Sequence, residues 1–146
     1  MFQIVYESAA TRPITKTDIS DILTASRVNN AKVGVTGMLI YHEGMFIQAL
    51  EGPKDAVEAL YQKIEKDPRH EDVWMLAQMT PTKRSFAKWN MGIASAFRRP
   101  DNCTIDVKNL QMITQRIKSL RHSDEDSAYT AKLMERFLNR LAPGQA

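Results

Sequence analysis

Hydrophobic and polar residues alternate along this chain with two different periods, and the switches between them divide it into elements. Phe2-Gln3-Ile4-Val5-Tyr6 is apolar, β-branched and aromatic, which predicts a strand reaching Glu7 or Ser8. After turn material from Ala9 to Pro13, Thr15 stands three residues before Asp18 as an N-cap. Ile19, Ile22, Leu23 and Ser26 then follow at i, i+3, i+4 and i+7, predicting an amphipathic helix that ends near Asn29-Asn30. Val33 to Tyr41 reads as a strand. The connection His42-Glu43-Gly44-Met45 leads to a second apolar run, Phe46 to Leu50, and the two runs should pair as a hairpin.

Pro53 fits an early helical position before Val57, Leu60, Tyr61 and Ile64, so a second helix should run to about Lys66 and stop near Pro68. Val73 to Ala77 and Phe86 to Ile93 are further strand-like runs joined by the polar stretch Thr80 to Ser85. The order β-α-β-β-α-β-β predicts an α+β, ferredoxin-like sheet with two helices on one face. Leu110, Ile113, Ile117 and Leu120, then Leu133, Phe137 and Leu141, recur at helical spacing, with Ser123-Asp124 placed to cap the second set. These two C-terminal helices should cover the opposite sheet face.

Composition narrows the picture. At 146 residues, 43% hydrophobic and 25% charged, the chain can bury a core and fits one domain. In the first half the longest stretch free of Asp, Glu, Lys and Arg is Val33 to His42, well short of the about 20 residues needed to cross a bilayer. The N-terminus lacks the pattern of an export signal, so a cytoplasmic location and no membrane contact are expected. Cys103 has no partner for an internal disulfide, and no Cys/His cluster has metal-site spacing, so no metal is expected. The net charge is 20 − 17 = +3. Residues 1–95 carry 11 basic and 11 acidic side chains, and the excess lies in 96–146, with 9 and 6. No aromatic residues interleave the basic ones, so nucleic acid is not an expected partner.

The motifs of hydrolases, kinases and dinucleotide enzymes are missing. What remains is a set of polar residues inside apolar segments, where an unpaired hydrogen-bonding group is costly. Period-2 alternation puts Gln48 on the same face as Phe46 and Leu50, toward the helices. Its amide has donors and an acceptor and reverses direction on rotation. Tyr6 ends the first apolar run with one hydroxyl that wants a partner, so a Tyr-Gln pair beneath the helices follows, either functional or simply a satisfied buried pair. Ser26, Asn29 and Asn30 read equally as helix-terminal residues or as ligand contacts. Asp67-Pro68-Arg69-His70 reads alone as a charged helix terminus, and Trp89 and Met91 read alone as core.

Taken together, these pieces resemble the BLUF family of blue-light sensors that use flavin. The resemblance rests on Tyr6-Glu7-Ser8, Ser26-Arg27-Val28-Asn29-Asn30, Gly34 to Leu39, Phe46 to Gly52, Asp67 to His70, and Arg84-x-Phe86-x-x-Trp89-x-Met91. It covers about Phe2 to Ile93, and the tail resembles the helical extension of short, stand-alone members. The resemblance implies a photosensory domain over 1–95 and a helical extension, not an independent domain, over 96–146.

It further implies a flavin, usually FAD with FMN or riboflavin as alternatives, held between the two helices. By that likeness Asn30 meets the ring edge near its C4 carbonyl, and Asn29 and Ser26 help hold it. Lys63 and Asp67 meet the other side of the ring or the ribityl chain, and Arg69 and His70 lie near the phosphate-bearing tail. Tyr6 would donate an electron and a proton to the excited flavin, with Gln48 between them, leaving Gln48 rotated or tautomerised and the absorption red-shifted. Trp89 and Met91 would carry the change toward the C-terminal helices. No enzymatic activity is implied, and the output would be contact with a downstream protein or within a homo-oligomer. The other readings are a flavin-dependent redox enzyme and a light-insensitive interaction module of the same fold.

Overall fold

The computed structural model describes residues 1–42, 44–87, 92–98, 105–106 and 110–141. In chain order these form β1 (Phe2–Ala10), α1 (Lys16–Val33), β2 (Thr36–His42), β3 (Met45–Gly52), α2 (Lys54–Glu65), β4 (His70–Met79), β5 (Gly92–Arg98), β6 (Ile105–Asp106), α3 (Leu110–Arg121) and α4 (Glu125–Leu141). The strand order is β4-β1-β3-β2-β5-β6. The β4-β1-β3-β2 part is antiparallel throughout, the ferredoxin-like arrangement, and β5 joins it parallel to β2.

Local chemistry starts and stops the helices. The Thr15 hydroxyl accepts from the Asp18 N–H at 3.1 Å, and the Asp18 carboxylate accepts from the Thr15 N–H at 2.9 Å, closing a reciprocal cap at the start of α1. Arg12 donates to both Asp18 oxygens, at 2.7 and 2.9 Å, and holds that carboxyl far below its ordinary pKa. Thr15→Ala removes the cap and is expected to cost about 1 kcal/mol in urea unfolding.

Helix α1 does not end at Asn29-Asn30. It runs on to Val33, because the left-handed residue that closes it is Gly34, at φ 72°, whose N–H returns to the Asn30 carbonyl. The following strand therefore starts at Thr36 rather than at Val33. Asp124 caps α4 as its position foretold, accepting from the Ser127 N–H at 2.9 Å.

The sheet has a core on each face. Phe2, Ile4, Tyr6, Leu39, Phe46 and Leu50 pack against Ile19 and Ile22 of α1 and Val57 and Tyr61 of α2. Val5, Met38, Ile40, Ile47 and Ala49 point the other way, against Ile117 and Leu120 of α3 and Met134 and Phe137 of α4. The period-2 pattern thus sorts the strands as expected, and the C-terminal helices cover the second face. At Gly37 a Cβ would stand 2.1 Å from the Ala49 carbonyl oxygen, which explains a glycine inside a central strand.

The run beginning at Phe86 is a correction. Phe86 lies in a bend and the strand begins at Gly92. The N–H groups of Ser85 and Phe86 are turned onto the Glu51 carboxylate, and the Phe86 ring fills the second core. A backbone so engaged has no N–H left for a ladder. The adjoining Trp89 and Met91 lie outside the described residues.

Candidate functional site

A cavity of about 670 Å³ opens between α1, α2 and the sheet, within the range of about 300–1,000 Å³ usual for cofactor sites. Its floor is sheet. Tyr6 of β1 and Gln48 of β3 are direct cross-strand partners on the helix-facing side, and the Tyr6 hydroxyl donates to Gln48 Oε1 in a short hydrogen bond. Tyr6 is fully buried, with its ring set edge-on to Tyr61 at 5.6 Å. Burial, reinforced by Tyr61 and Asp67, pushes its phenol far above the ordinary value, so the proton stays on until something withdraws an electron.

Helix α1 supplies one wall through Ser26, Asn29 and Asn30, which lie within its last two turns. Asn30 is only 3% exposed and lines the cavity. An amide lining a cavity can offer a ligand both donors and an acceptor. The opposite wall comes from Lys63 of α2 and from the 66–70 turn.

In that turn Asp67 accepts two hydrogen bonds from the Arg69 side chain to its Oδ2, at 3.2 and 2.7 Å. Asp67 Oδ1 also takes the Arg69 N–H at 2.9 Å and Nε at 3.1 Å. The pair lowers the Asp67 pKa and leaves Arg69 a fixed cation on the rim. His70 is turned inward. Its Nδ1 lies 2.7 Å from the Ser8 hydroxyl and its ring packs on Phe46 at 4.6 Å. Burial lowers its pKa, which favours a neutral imidazole beside Tyr6. Every expected site residue inside the described regions thus lines one cavity, with its polar groups on the floor and both walls.

A family model described as sensors of blue-light using FAD matches residues 1–92. The chain belongs to the BLUF family. The β subunits of photoactivated adenylate cyclases from Euglena longa and Euglena gracilis are 42% and 40% identical to it over 93 residues. That match is 63% of this chain and 11% of each relative, so the chain spans about a tenth of the length of those curated relatives.

Among solved structures, the dark state of the BLUF protein BlrB superposes with a TM-score of 0.67 at 30% identity, covering 91% of this chain and 93% of that one. The photo-activated state of BlsA gives 0.63 at 26% identity over 96% and 93%. Klebsiella pneumoniae BlrP1 with FMN and cyclic diGMP gives 0.59 at 30% identity, over 63% of this chain and 25% of that one. As a BLUF domain, residues 1–92 are a flavin-binding sensor of blue light, and the likeness to BlrB runs over nearly the whole of both chains.

One group escaped the sequence reasoning. Glu51, on the sheet face opposite the cavity, is fully buried and collects donors from Gln3 at 3.3 Å, Thr36 at 3.2 Å and the N–H groups of Ser85 and Phe86. Arg84 closes over it, donating to the Thr36 hydroxyl at 2.9 Å and the Gly34 carbonyl at 2.7 Å. The only signal was a carboxylate sitting one residue past an apolar run.

Proposed function

We propose that the flavin is FAD, seated in the cavity between α1 and α2, and that the Tyr6–Gln48 pair is the photochemical switch. The observation carrying this reading is the hydrogen bond from a fully buried phenol to a rotatable amide on the cavity floor. The donor set fits such a group. Asn30, with Asn29 and Ser26 beside it, offers amide and hydroxyl groups to a ring edge, Lys63 and Asp67 face them, and Arg69 with His70 suits a phosphate-bearing tail. FAD rather than FMN is supported by the family's description.

When bound and excited by blue light, a flavin supplies an oxidant strong enough to take an electron from a nearby phenol. Tyr6 would be the donor of that electron and of a proton, with Gln48, its hydrogen-bond partner, lying between phenol and flavin. Return of the electron and proton to Tyr6 would leave Gln48 turned or as its tautomer, with no covalent bond formed. A turned amide offers Tyr6 a donor where it had offered an acceptor, and that changed hydrogen bonding is what the absorption reports. Residues 1–95 form the sensor and 96–146 the extension that reads it, within a homo-oligomer or toward a downstream protein. We place the chain in the cytoplasm; no described helix is long and apolar enough to cross a membrane.

The test is an absorption spectrum in the dark, directly after blue light, and through dark recovery. A flavin band that moves red and returns supports the reading. Bound flavin that only bleaches, or no bound flavin after reconstitution, overturns it. Asn30→Ala removes the buried amide and is expected to weaken flavin binding about tenfold in a titration, the equivalent of one net hydrogen bond.

A further inference from the structure

The β1–β3 ladder carries two hydrogen-bonded side-chain pairs. Tyr6 stands opposite Gln48, and three residues away Gln3 stands opposite Glu51. An odd separation puts them on opposite faces, so the first pair floors the cavity and the second meets the C-terminal helices. Gln3 Nε2 donates to Glu51 Oε2 at 3.3 Å, and Gln3 Oε1 accepts from the Thr130 hydroxyl of α4 at 2.6 Å. Gln3, Glu51 and Thr130 are all fully buried. Each end of the Gln3 amide has one partner, so its orientation is fixed by the carboxylate on one side and by the helix on the other.

Docking α4 does not need this arrangement, because Met134 and Phe137 already bury an apolar face on the sheet. What directional bonds add is sensitivity to geometry. Apolar contacts tolerate a small slide, whereas a hydrogen bond weakens steeply as its angle closes. A second connection runs through the Ser85 loop, whose hydroxyl meets Ser127 of α4 at 2.8 Å and whose carbonyl accepts from Arg116 of α3. That route reaches the sheet through the Ser85 N–H on Glu51. The Gln3–Thr130 bond instead joins α4 to β1, the strand that carries Tyr6.

We propose that Gln3 and Thr130 are the positioning residues through which α4 senses the state of the Tyr6–Gln48 pair. This rests on the photoreceptor reading above. A turn of the Gln48 amide shifts β3 against β1, the Gln3–Glu51 pair moves with that register, and Thr130 draws α4 after it. The bistable element is the amide, and the output surface is the outer face of α4.

The test is hydrogen exchange on the full, flavin-loaded chain in the dark and under blue light, read over 125–139. Wild type should show a light-minus-dark difference there. Thr130→Val should keep the spectral red shift and the dark protection of α4 but lose that difference. Ser127→Ala, which cuts the other connection, should retain it. The proposal is overturned if wild type shows a red shift without an exchange difference, or if Thr130→Val keeps the difference. Loss of dark protection in Thr130→Val would mean that the hydroxyl merely clamps the helix, and loss of the difference in Ser127→Ala that any loosened contact suffices; each also overturns it. A wild type with no red shift at all is the separate failure of the photoreceptor reading.

Discussion

Flavin-loaded Tyr6→Phe protein will show no reversible red shift under blue light, and Gln48→Leu will show none either. Phenylalanine keeps the ring that packs against Tyr61 and His70 and removes only the hydroxyl, so the sheet should hold its shape. The loss is chemical: a benzene ring has no acidic proton to release with its electron, and Gln48 Oε1 loses the donor that fixes its orientation. Leucine at position 48 fits the apolar surroundings of Phe46 and Leu50 and should be tolerated, but it has no amide to turn. Dark-minus-light difference spectra of both variants, with bound flavin verified by its dark band, check the prediction. A normal, reversible shift in either variant would remove that side chain from the mechanism.

The largest effect on stability is expected on the other face. Glu51→Ala strips the acceptor from two backbone N–H groups, from Gln3 and from Thr36, all in a buried setting. Each buried donor left unpaired costs about 1–3 kcal/mol, so together they take a large part of the stability of an ordinary domain. Urea unfolding measures it, and a loss below that of Thr15→Ala would show that the network is dispensable.

Glu51→Gln keeps the shape and one acceptor, so its cost should be smaller and should depend on pH. Burial pushes the Glu51 carboxyl above its usual 4.5, against the pull of the Ser85 and Phe86 N–H groups, Thr36 and Arg84. A folded pKa above the unfolded one means that the native chain holds a proton which the unfolded chain has released. The stability of wild type relative to Glu51→Gln should therefore fall as pH rises from about 4.5 through the folded value, then level off.

The floor of the site was legible in the sequence because strand periodicity is rigid. Once Phe46 and Leu50 are placed in the core, Gln48 has no choice of face, and Tyr6 follows from Ile4 in the same way. Helix α1 misled at its end because asparagines suit both a terminus and a ligand wall, while the residue that stops the helix, Gly34, lies four positions past Asn30. Phe86 misled because an apolar residue after a polar run looks the same whether its backbone joins a ladder or caps a carboxylate. Glu51 was invisible for a related reason. Its partners come from β1, β2 and a distant loop, and nothing local marks a carboxylate that four separate donors will surround. The cavity walls became readable only jointly, since no single residue among Ser26, Asn29, Asp67 and Arg69 departs from what a helix terminus ordinarily carries.

The complete burial of Tyr6 has a bearing on what the photoreceptor consumes. Its hydroxyl has no exposed surface, and its hydrogen bond goes to another buried side chain. In the proposed cycle the proton would pass between buried groups and return by the same path, without entering bulk water. The proposed cycle therefore consumes no proton from the solvent, and light is its only input.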